Sequence, residues 1–177
     1  MKRILIIGSS GSGKTLLAKK LGHLLNLPVY HLDAFYWKAG WQTAQPEEWE
    51  KNLNNLLSRD EWIIDGNYCH TLEKRILFCD SIIYLKLPRF ICLKNCLLRF
   101  WQNRGRTRAD MAPGCPEKFD LEFCRWIWNF PRDIKPVIEN IICIWKKRVK
   151  IYECSNRKQI KALIEKLISD KVNITGE

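Results

Sequence analysis

The stretch Gly-Ser-Ser-Gly-Ser-Gly-Lys-Thr at residues 8–15 decides the fold, because it satisfies every required position of the phosphate-binding pattern G-x-x-x-x-G-K-[ST]. A short apolar run, Arg3 to Ile7, precedes it, and leucines at helical spacing follow it. A strand, a glycine-rich loop and a helix in this order point consecutive backbone N–H groups at phosphate oxygens. The residues predicted to hold the phosphates of ATP are Gly8, Ser9, Ser10, Gly11, Ser12, Gly13, Lys14 and Thr15.

Two side chains of this loop and one carboxylate have predicted roles in phosphate chemistry. Lys14 places a cation on the β- and γ-phosphates, and the Thr15 hydroxyl ligates Mg²⁺. The alternative, a flexible Gly/Ser loop with a surface lysine, does not explain the strand before it and the helix after it. Asp65 follows a predicted strand at residues 61–64 and can hold a water on Mg²⁺. Its alternative is an ordinary loop aspartate that caps a turn.

Outward from the loop, strands and helices alternate along the chain. The other strands are predicted at residues 29–32, 61–64, 81–87 and 150–154. The helices are predicted at residues 14–25, from 46, 72–78, 88–102, from 119, from 138 and from 160, with a frayed end at 171–177. This alternation predicts an α/β fold with a parallel sheet covered by helices on both faces. Ligands bind beyond the carboxyl ends of such strands. The length of 177 residues suits one domain.

The second predicted strand ends at Asp33, which is therefore a candidate to orient an acceptor hydroxyl or to accept its proton. An Asx turn is the alternative. The aromatic residues Phe35, Tyr36, Trp37 and Trp41 follow, in a loop or broken helix, with neither strand nor helix period. We predict that they wall an acceptor pocket with Asp33 at its floor. The alternative is that they pack under a flap and only support it.

A basic segment lies between Asp80 and Asp110, where no acidic residue occurs. It ends in the alternating arginines Arg104, Arg106 and Arg108, in a predicted irregular loop at residues 103–118. Guanidinium groups suit phosphate oxygens and the charge of a phosphoryl transition state, so we predict a lid that closes over ATP. A solvated basic face and a nucleic-acid patch are the alternatives.

Composition narrows the class of protein. Hydrophobic residues make up 46% and charged residues 28%, which excludes disorder over most of the chain. No apolar run is long enough for a membrane span or a signal peptide, so we expect a cytoplasmic protein without membrane partners. The net charge of +11 indicates an anionic partner. The eight cysteines include no Cys-x-x-Cys spacing and are expected to be mostly buried hydrophobes rather than zinc ligands.

Together, these motifs resemble the adenylate-kinase-like nucleoside and nucleotide kinases. More narrowly, the chain resembles a bacterial group known as DNA topology modulation proteins. The segments that carry this narrower resemblance are His31–Asp33, Trp62–Tyr68, Arg104–Pro116 and Phe119–Arg132.

The kinase resemblance implies a five-stranded parallel core with strand order 2-3-1-4-5, the use of Mg-ATP, and an acceptor site between the second and third strands. In these terms the chain is one P-loop kinase-like domain over residues 1–177, with an acceptor-flap insert at about 33–60 and a lid at about 103–118. The resemblance implies that the lid arginines bind the phosphates that are transferred. It implies later phosphate contacts for Arg125 and Arg132, and an adenine cradle at Ser155 and Asn156.

The chain also departs from adenylate kinases. The Asp-Gly pair is followed by Asn67-Tyr68-Cys69 instead of an aromatic residue, a proline and an arginine that holds the acceptor phosphate. An acceptor with a flat, less charged body is therefore as compatible as a nucleoside monophosphate. The sequence predicts an ATP-dependent kinase that acts on a nucleoside, a nucleotide or another small hydroxyl compound. An ATP-dependent regulatory or DNA-binding protein and a hydrolytic ATPase are the alternatives, and the oligomeric state is left open.

Overall fold

The computed structural model describes residues 1–175, with side chains through Asp170. A central parallel sheet of five strands is accompanied by a two-stranded antiparallel hairpin. The strands are β1 Arg3–Gly8, β2 Val29–His31, β3 Trp37–Lys38, β4 Gln42–Thr43, β5 Trp62–Asp65, β6 Ser81–Leu85 and β7 Lys150–Cys154. The α-helices are α1 Lys14–Leu25, α2 Leu32–Tyr36, α3 Pro46–Leu57, α4 Leu72–Phe78, α5 Arg89–Asn103, α6 Leu121–Asp133, α7 Lys135–Trp145 and α8 Arg157–Thr175.

The strand order across the central sheet is β2-β5-β1-β6-β7. Counting only the strands of this sheet, it is 2-3-1-4-5, so the predicted fold class and order are confirmed. The register aligns Ile6 with Asp65 and Gly8 with Leu85. The carboxyl ends of β1, β5 and β6 therefore meet at one edge of the sheet, where the glycine-rich loop begins.

Two apolar layers cover the sheet. Because successive side chains of a strand point to opposite faces, Leu5 and Ile7 belong to a cluster with α3, α4 and α7, whereas Ile4 and Ile6 belong to a cluster with α1 and α8. All four side chains are fully buried. The sheet is thus covered on both faces, and its edge at the strand ends is the place left for a ligand.

The structure differs from the predicted elements between residues 32 and 43. Strand β2 ends at His31, and Asp33 lies in the first turn of the short helix α2 instead of at a strand end. An acidic side chain is favourable in the first turn of a helix. The aromatic stretch continues from α2 directly into β3, and a 3₁₀ turn at Ala39–Trp41 joins β3 to β4 in the hairpin.

Smaller differences occur later in the chain. Strand β6 ends at Leu85, two residues before its predicted end. The helix predicted from residue 119 begins at Leu121, and Pro131 lies exposed inside its last turn. The predicted frayed end at 171–177 falls partly on α8, which reaches Thr175, and residues 176–177 lie outside the described part of the chain. Within residues 1–175, no helix combines the length and the hydropathy needed to cross a bilayer.

Candidate functional site

Two glycines show why the loop at residues 8–15 requires its small residues. A Cβ atom on Gly11 would lie 2.0 Å from the carbonyl oxygen of Cys92, so the loop can approach α5 only with glycine there. Gly13 has a φ of 94° at the N-cap of α1, a conformation that favours glycine. Asn95 of α5 donates a hydrogen bond to the Gly11 carbonyl at 2.8 Å. The loop therefore packs closely against α5 and is hydrogen-bonded to it, which requires glycine at position 11.

The polar side chains of this loop indicate an anionic ligand. The Lys14 Nζ atom donates to the Ser9 carbonyl oxygen at 3.0 Å. Burial lowers the pKa of Lys14, and the carboxylates of Asp65 and Asp33 partly oppose this. The Ser12 hydroxyl is buried, and no residue in the described part of the chain accepts or donates a hydrogen bond to it. A desolvated cation and an unpaired hydroxyl in a glycine-rich loop that precedes a helix fit the phosphates of a nucleotide.

Thr15, Asp65 and His31 form a second polar group at the same edge. The Thr15 hydroxyl donates to one oxygen of Asp65 at 2.9 Å, and Nδ1 of His31 lies 2.5 Å from the other. Asp65 ends β5 and is 4% exposed. A hydroxyl and a carboxylate oxygen are ligands that Mg²⁺ prefers, so these residues fit the predicted metal. The pairing of His31 with Asp65 across β2 and β5 follows from the sheet register, which the sequence alone does not reveal.

Asp33 faces this edge from α2. Its Oδ1 atom accepts a hydrogen bond from the Tyr68 hydroxyl at 2.7 Å. Burial, followed by the Asp33 charge, raises the pKa of Tyr68, so the phenol stays protonated and donates. Tyr68 in turn packs on Tyr36 and Trp49, at ring centroid distances of 4.7 and 5.0 Å. The carboxylate of Asp33 is thus oriented by a residue that lies 35 positions away along the chain.

One cavity of about 730 Å³ joins these groups. The predicted site residues that line it are Ser10, Gly11, Ser12, Gly13, Lys14, Thr15, Asp33, Asp65 and Arg108. The cavity is also lined by polar residues that the sequence motifs do not assign to the site, among them His31, Asn95, Arg99 and Arg157. Two of them could have been found from the sequence, because Arg99 lies in the basic segment and Arg157 directly follows the predicted adenine cradle.

The lid differs from the prediction, because one of its three arginines lines the cavity and the other two do not. Arg108 lines it, whereas Arg104 and Arg106 are exposed and lie outside its lining. The buried carboxylate of Glu117 bridges Arg99 and Arg108, at 2.7 and 3.1 Å, and Asp110 pairs with Arg108 at 2.6 Å. The ion pairs with Asp110 and Glu117 hold the Arg108 side chain in the lining of the cavity.

The four aromatic residues lie outside the lining of the cavity, which corrects their predicted position as its walls. Phe35 and Tyr36 pack against the core layer of α3 and α4. Trp37 and Trp41 pack on each other at 5.6 Å and against apolar residues of the lid. Trp41 Nε1 also donates to the Pro116 carbonyl at 3.0 Å. Their large apolar surfaces are used to join the hairpin to the lid.

The residues assigned through the kinase resemblance lie outside the lining of the cavity. Arg125 and Arg132 are exposed on α6 outside the lining, and Arg132 pairs with Asp133 at 2.6 Å. Ser155 and Asn156 cap α8: the Ser155 amide donates to the Gln159 side chain, and the Gln159 amide donates to the Asn156 side chain. The adenine cradle at this turn stays a prediction, as do the phosphate contacts of the two arginines.

Comparison with known proteins supports the fold. No protein-family model matches the chain. It is similar to a shikimate kinase from Acinetobacter baumannii in complex with shikimate, with a TM-score of 0.58 and 14% identity over 98% of this chain and 94% of that one. A shikimate kinase from Bacteroides thetaiotaomicron has a TM-score of 0.52 and 18% identity, covering 94% of this chain and 95% of that one.

A protein of Chloroflexus aurantiacus j-10-fl proposed to be a kinase has a TM-score of 0.51 and 14% identity, covering 94% of this chain and 97% of that one. The fold is therefore the P-loop α/β fold that shikimate kinases share. The narrower resemblance to DNA topology modulation proteins stays a prediction.

Proposed function

We propose that this protein is a kinase that transfers the γ-phosphoryl group of ATP to a hydroxyl group of a small molecule. The observation that carries the proposal is that Lys14, the Thr15–Asp65 pair and the Asp33 carboxylate line one cavity. A phosphate cradle alone fits any nucleotide-binding protein. A carboxylate at the same cavity adds a group that can orient an acceptor hydroxyl and take its proton.

In the proposed reaction, the acceptor oxygen bonds to the γ-phosphorus while the bond from that phosphorus to the β-γ bridging oxygen breaks. Asp33 orients the hydroxyl and takes up its proton, and ADP leaves. Lys14 and the loop amides hold the phosphate oxygens, and Arg108 at the lid stabilises their charge. Thr15 and Asp65 would hold Mg²⁺, which neutralises phosphate charge when it is bound.

The proposed acceptor is small and bears a hydroxyl group. Asp33 shares the lining of the cavity with His31, Arg108 and Asp110, whereas the four aromatic residues that a flat acceptor would need as walls lie outside it. Arg108 is paired with two carboxylates, which reduces its attraction for an anionic acceptor. Polar hydroxyl compounds therefore join nucleosides and nucleotides as candidates, and shikimate, bound in one similar structure, belongs among them.

The experiment is an ADP-release screen with Mg-ATP against nucleosides, nucleotides, shikimate and other small hydroxyl compounds. We expect one compound to raise ADP release above the rate without acceptor, with one phosphorylated product formed per ADP. Release of ADP and inorganic phosphate in equal amounts, at a rate that no compound changes, would instead indicate a hydrolytic ATPase.

An ATP-dependent regulatory or DNA-binding protein is the second candidate. The net charge of +11 and the exposure of Arg104 and Arg106 outside the cavity favour it. DNA binding without ATP that weakens steeply between low and moderate salt supports this candidate. Its absence, together with an acceptor found in the screen, supports the kinase.

A further inference from the structure

Arg75 is a buried cation whose position the proposed reaction does not explain. It lies in α4 and is 0% exposed. Burial lowers its pKa to about 10. Among the described residues, no carboxylate pairs with it, and its Nε atom has no hydrogen-bond partner. A buried charge without a counter-ion destabilises the folded state unless its N–H groups donate hydrogen bonds, so the acceptors of the Arg75 guanidinium are informative.

The guanidinium of Arg75 donates to three consecutive carbonyl oxygens. Nη1 contacts Gly66 at 2.9 Å, and Nη2 contacts Tyr68 at 3.0 Å and also Asn67. This segment is conformationally unusual, because Gly66 has a φ of 140° and Tyr68 a φ of 32°. A left-handed aromatic residue persists only where its surroundings hold it. The hydrogen bonds from Arg75 to these three carbonyl groups supply that restraint.

The side chains of the restrained segment reach both ends of the cavity. Asn67 Oδ1 accepts a hydrogen bond from the Gly8 amide, at the entrance of the phosphate loop, at 2.9 Å. The Tyr68 hydroxyl donates to Asp33, the proposed acceptor-side carboxylate, at 2.7 Å. One guanidinium therefore fixes the backbone from which both contacts extend.

We propose that Arg75 is the positioning residue of this site: it holds residues 66–68 so that Asn67 anchors the phosphate loop and Tyr68 orients Asp33. The proposal rests on the proposed function for its catalytic consequence. The restraint of residues 66–68 does not depend on the proposed function, because it is a property of the protein without substrate. The fork of arginine is needed, because the three carbonyl groups are contacted from two guanidinium nitrogens, whereas a lysine presents a single nitrogen.

The first test measures hydrogen exchange in the full-length protein without nucleotide. Arg75→Lys is expected to speed exchange of the Gly8 amide by about tenfold or more, the equivalent of one lost hydrogen bond. The Lys86 amide, which donates to Cys154 at 2.8 Å on the far side of the sheet, is the internal reference and is expected to keep its rate. Equal acceleration at both amides, or none at Gly8, overturns the proposal.

The second test asks whether Tyr68 acts through Asp33. Tyr68→Phe, which removes only the hydroxyl, is expected to lower kcat for the acceptor selected by the ADP-release screen by about tenfold, with KM for ATP unchanged. In the Asp33→Asn background the same change is expected to alter kcat by less than about twofold, because coupled residues are not additive. An equal loss in both backgrounds overturns the link from Tyr68 to Asp33.

Arg75→Lys completes the kinetic test. We expect it to lower kcat by roughly 100-fold, as misplacement of a reacting group does, whereas Arg59→Lys, at an exposed arginine that contacts Tyr30, changes kcat little. Unchanged kcat in Arg75→Lys contradicts the proposal. If the screen finds no acceptor, the proposed function fails, but the exchange of Gly8 still tests the restraint that Arg75 provides.

Discussion

The two ends of the cavity are built in different ways. The proposed phosphate end comes from one contiguous stretch, residues 8–15, whose glycines and helix start define its shape. The proposed acceptor end brings together Asp33 from α2 and Tyr68 from beyond β5, and the lid adds Arg108 to the same cavity. A contiguous stretch specifies its geometry through local backbone preferences. An assembled end depends on long-range packing, so substitutions there act on positioning as much as on chemistry.

The largest expected effect is at the phosphate end. Lys14→Met removes the cation from the phosphates and should lower acceptor-dependent ADP release by roughly 1000-fold, the upper range for one preorganised electrostatic group. Lys51→Met, at an exposed position of α3, is the matched control. Turnover within a few-fold of the unmodified protein in Lys14→Met would show that the loop does not hold the reacting phosphates.

The same variant should be more stable than the unmodified protein in the absence of ATP. Burial gives Lys14 a lower pKa in the folded than in the unfolded state. The unfolded chain therefore binds more protons, and the unfavourable contribution of Lys14 falls as pH rises through its folded pKa. Urea unfolding should accordingly show a larger gain from Lys14→Met at pH 7 than at pH 10. A gain that is absent at both values contradicts this.

The acceptor end is tested next by Asp33→Asn. The amide keeps the shape and can still accept from Tyr68, but it is a poor base. We expect kcat for the acceptor to fall by about 100-fold, within the usual range for proton transfer, while Mg-ATP affinity measured by calorimetry stays the same. Asp133→Asn, at an exposed residue that pairs with Arg132, serves as control. If ATP affinity falls in parallel with kcat, Asp33 belongs to the phosphate end instead.

The lid offers a smaller effect with an internal comparison. Arg108→Lys should lower kcat by about tenfold, because lysine cannot reproduce the fork that faces both Glu117 and the cavity. Arg106→Lys should change kcat by less than about twofold, since its side chain is exposed outside the cavity lining. The two variants differ only in position along one loop. Equal losses would mean that the lid rearranges when ATP binds.

The smallest expected effect concerns the aromatic residues. Trp41→Phe keeps an aromatic ring for the edge-to-face contact with Trp37 but loses the hydrogen bond to the Pro116 carbonyl, which should cost about 1 kcal/mol of stability. KM for the acceptor should stay within about twofold, as Trp41 lies outside the cavity lining. Thermal unfolding and steady-state kinetics measure the two quantities. A large rise in the acceptor KM would restore these rings as walls of the pocket.

Several features of this protein were determined by the sequence alone. The loop at residues 8–15, the five strands and their order, and the position of Asp65 at a strand end all follow from local patterns or from the family that they resemble. Such patterns are reliable because strand and helix periods, together with the need for glycine at Gly11 and Gly13, act over a few neighbouring residues.

Other features were decided only by the tertiary structure. His31 meets Asp65 because of the register of β2 and β5, and Arg108 alone of the three lid arginines lines the cavity. The aromatic stretch joins the hairpin to the lid, and Arg75 donates hydrogen bonds to the backbone of residues 66–68, a contact that no motif indicates. These contacts depend on how apolar surfaces pack together and on which charged groups form pairs in the folded chain. The residues involved are tens of positions apart, so no local pattern predicts them.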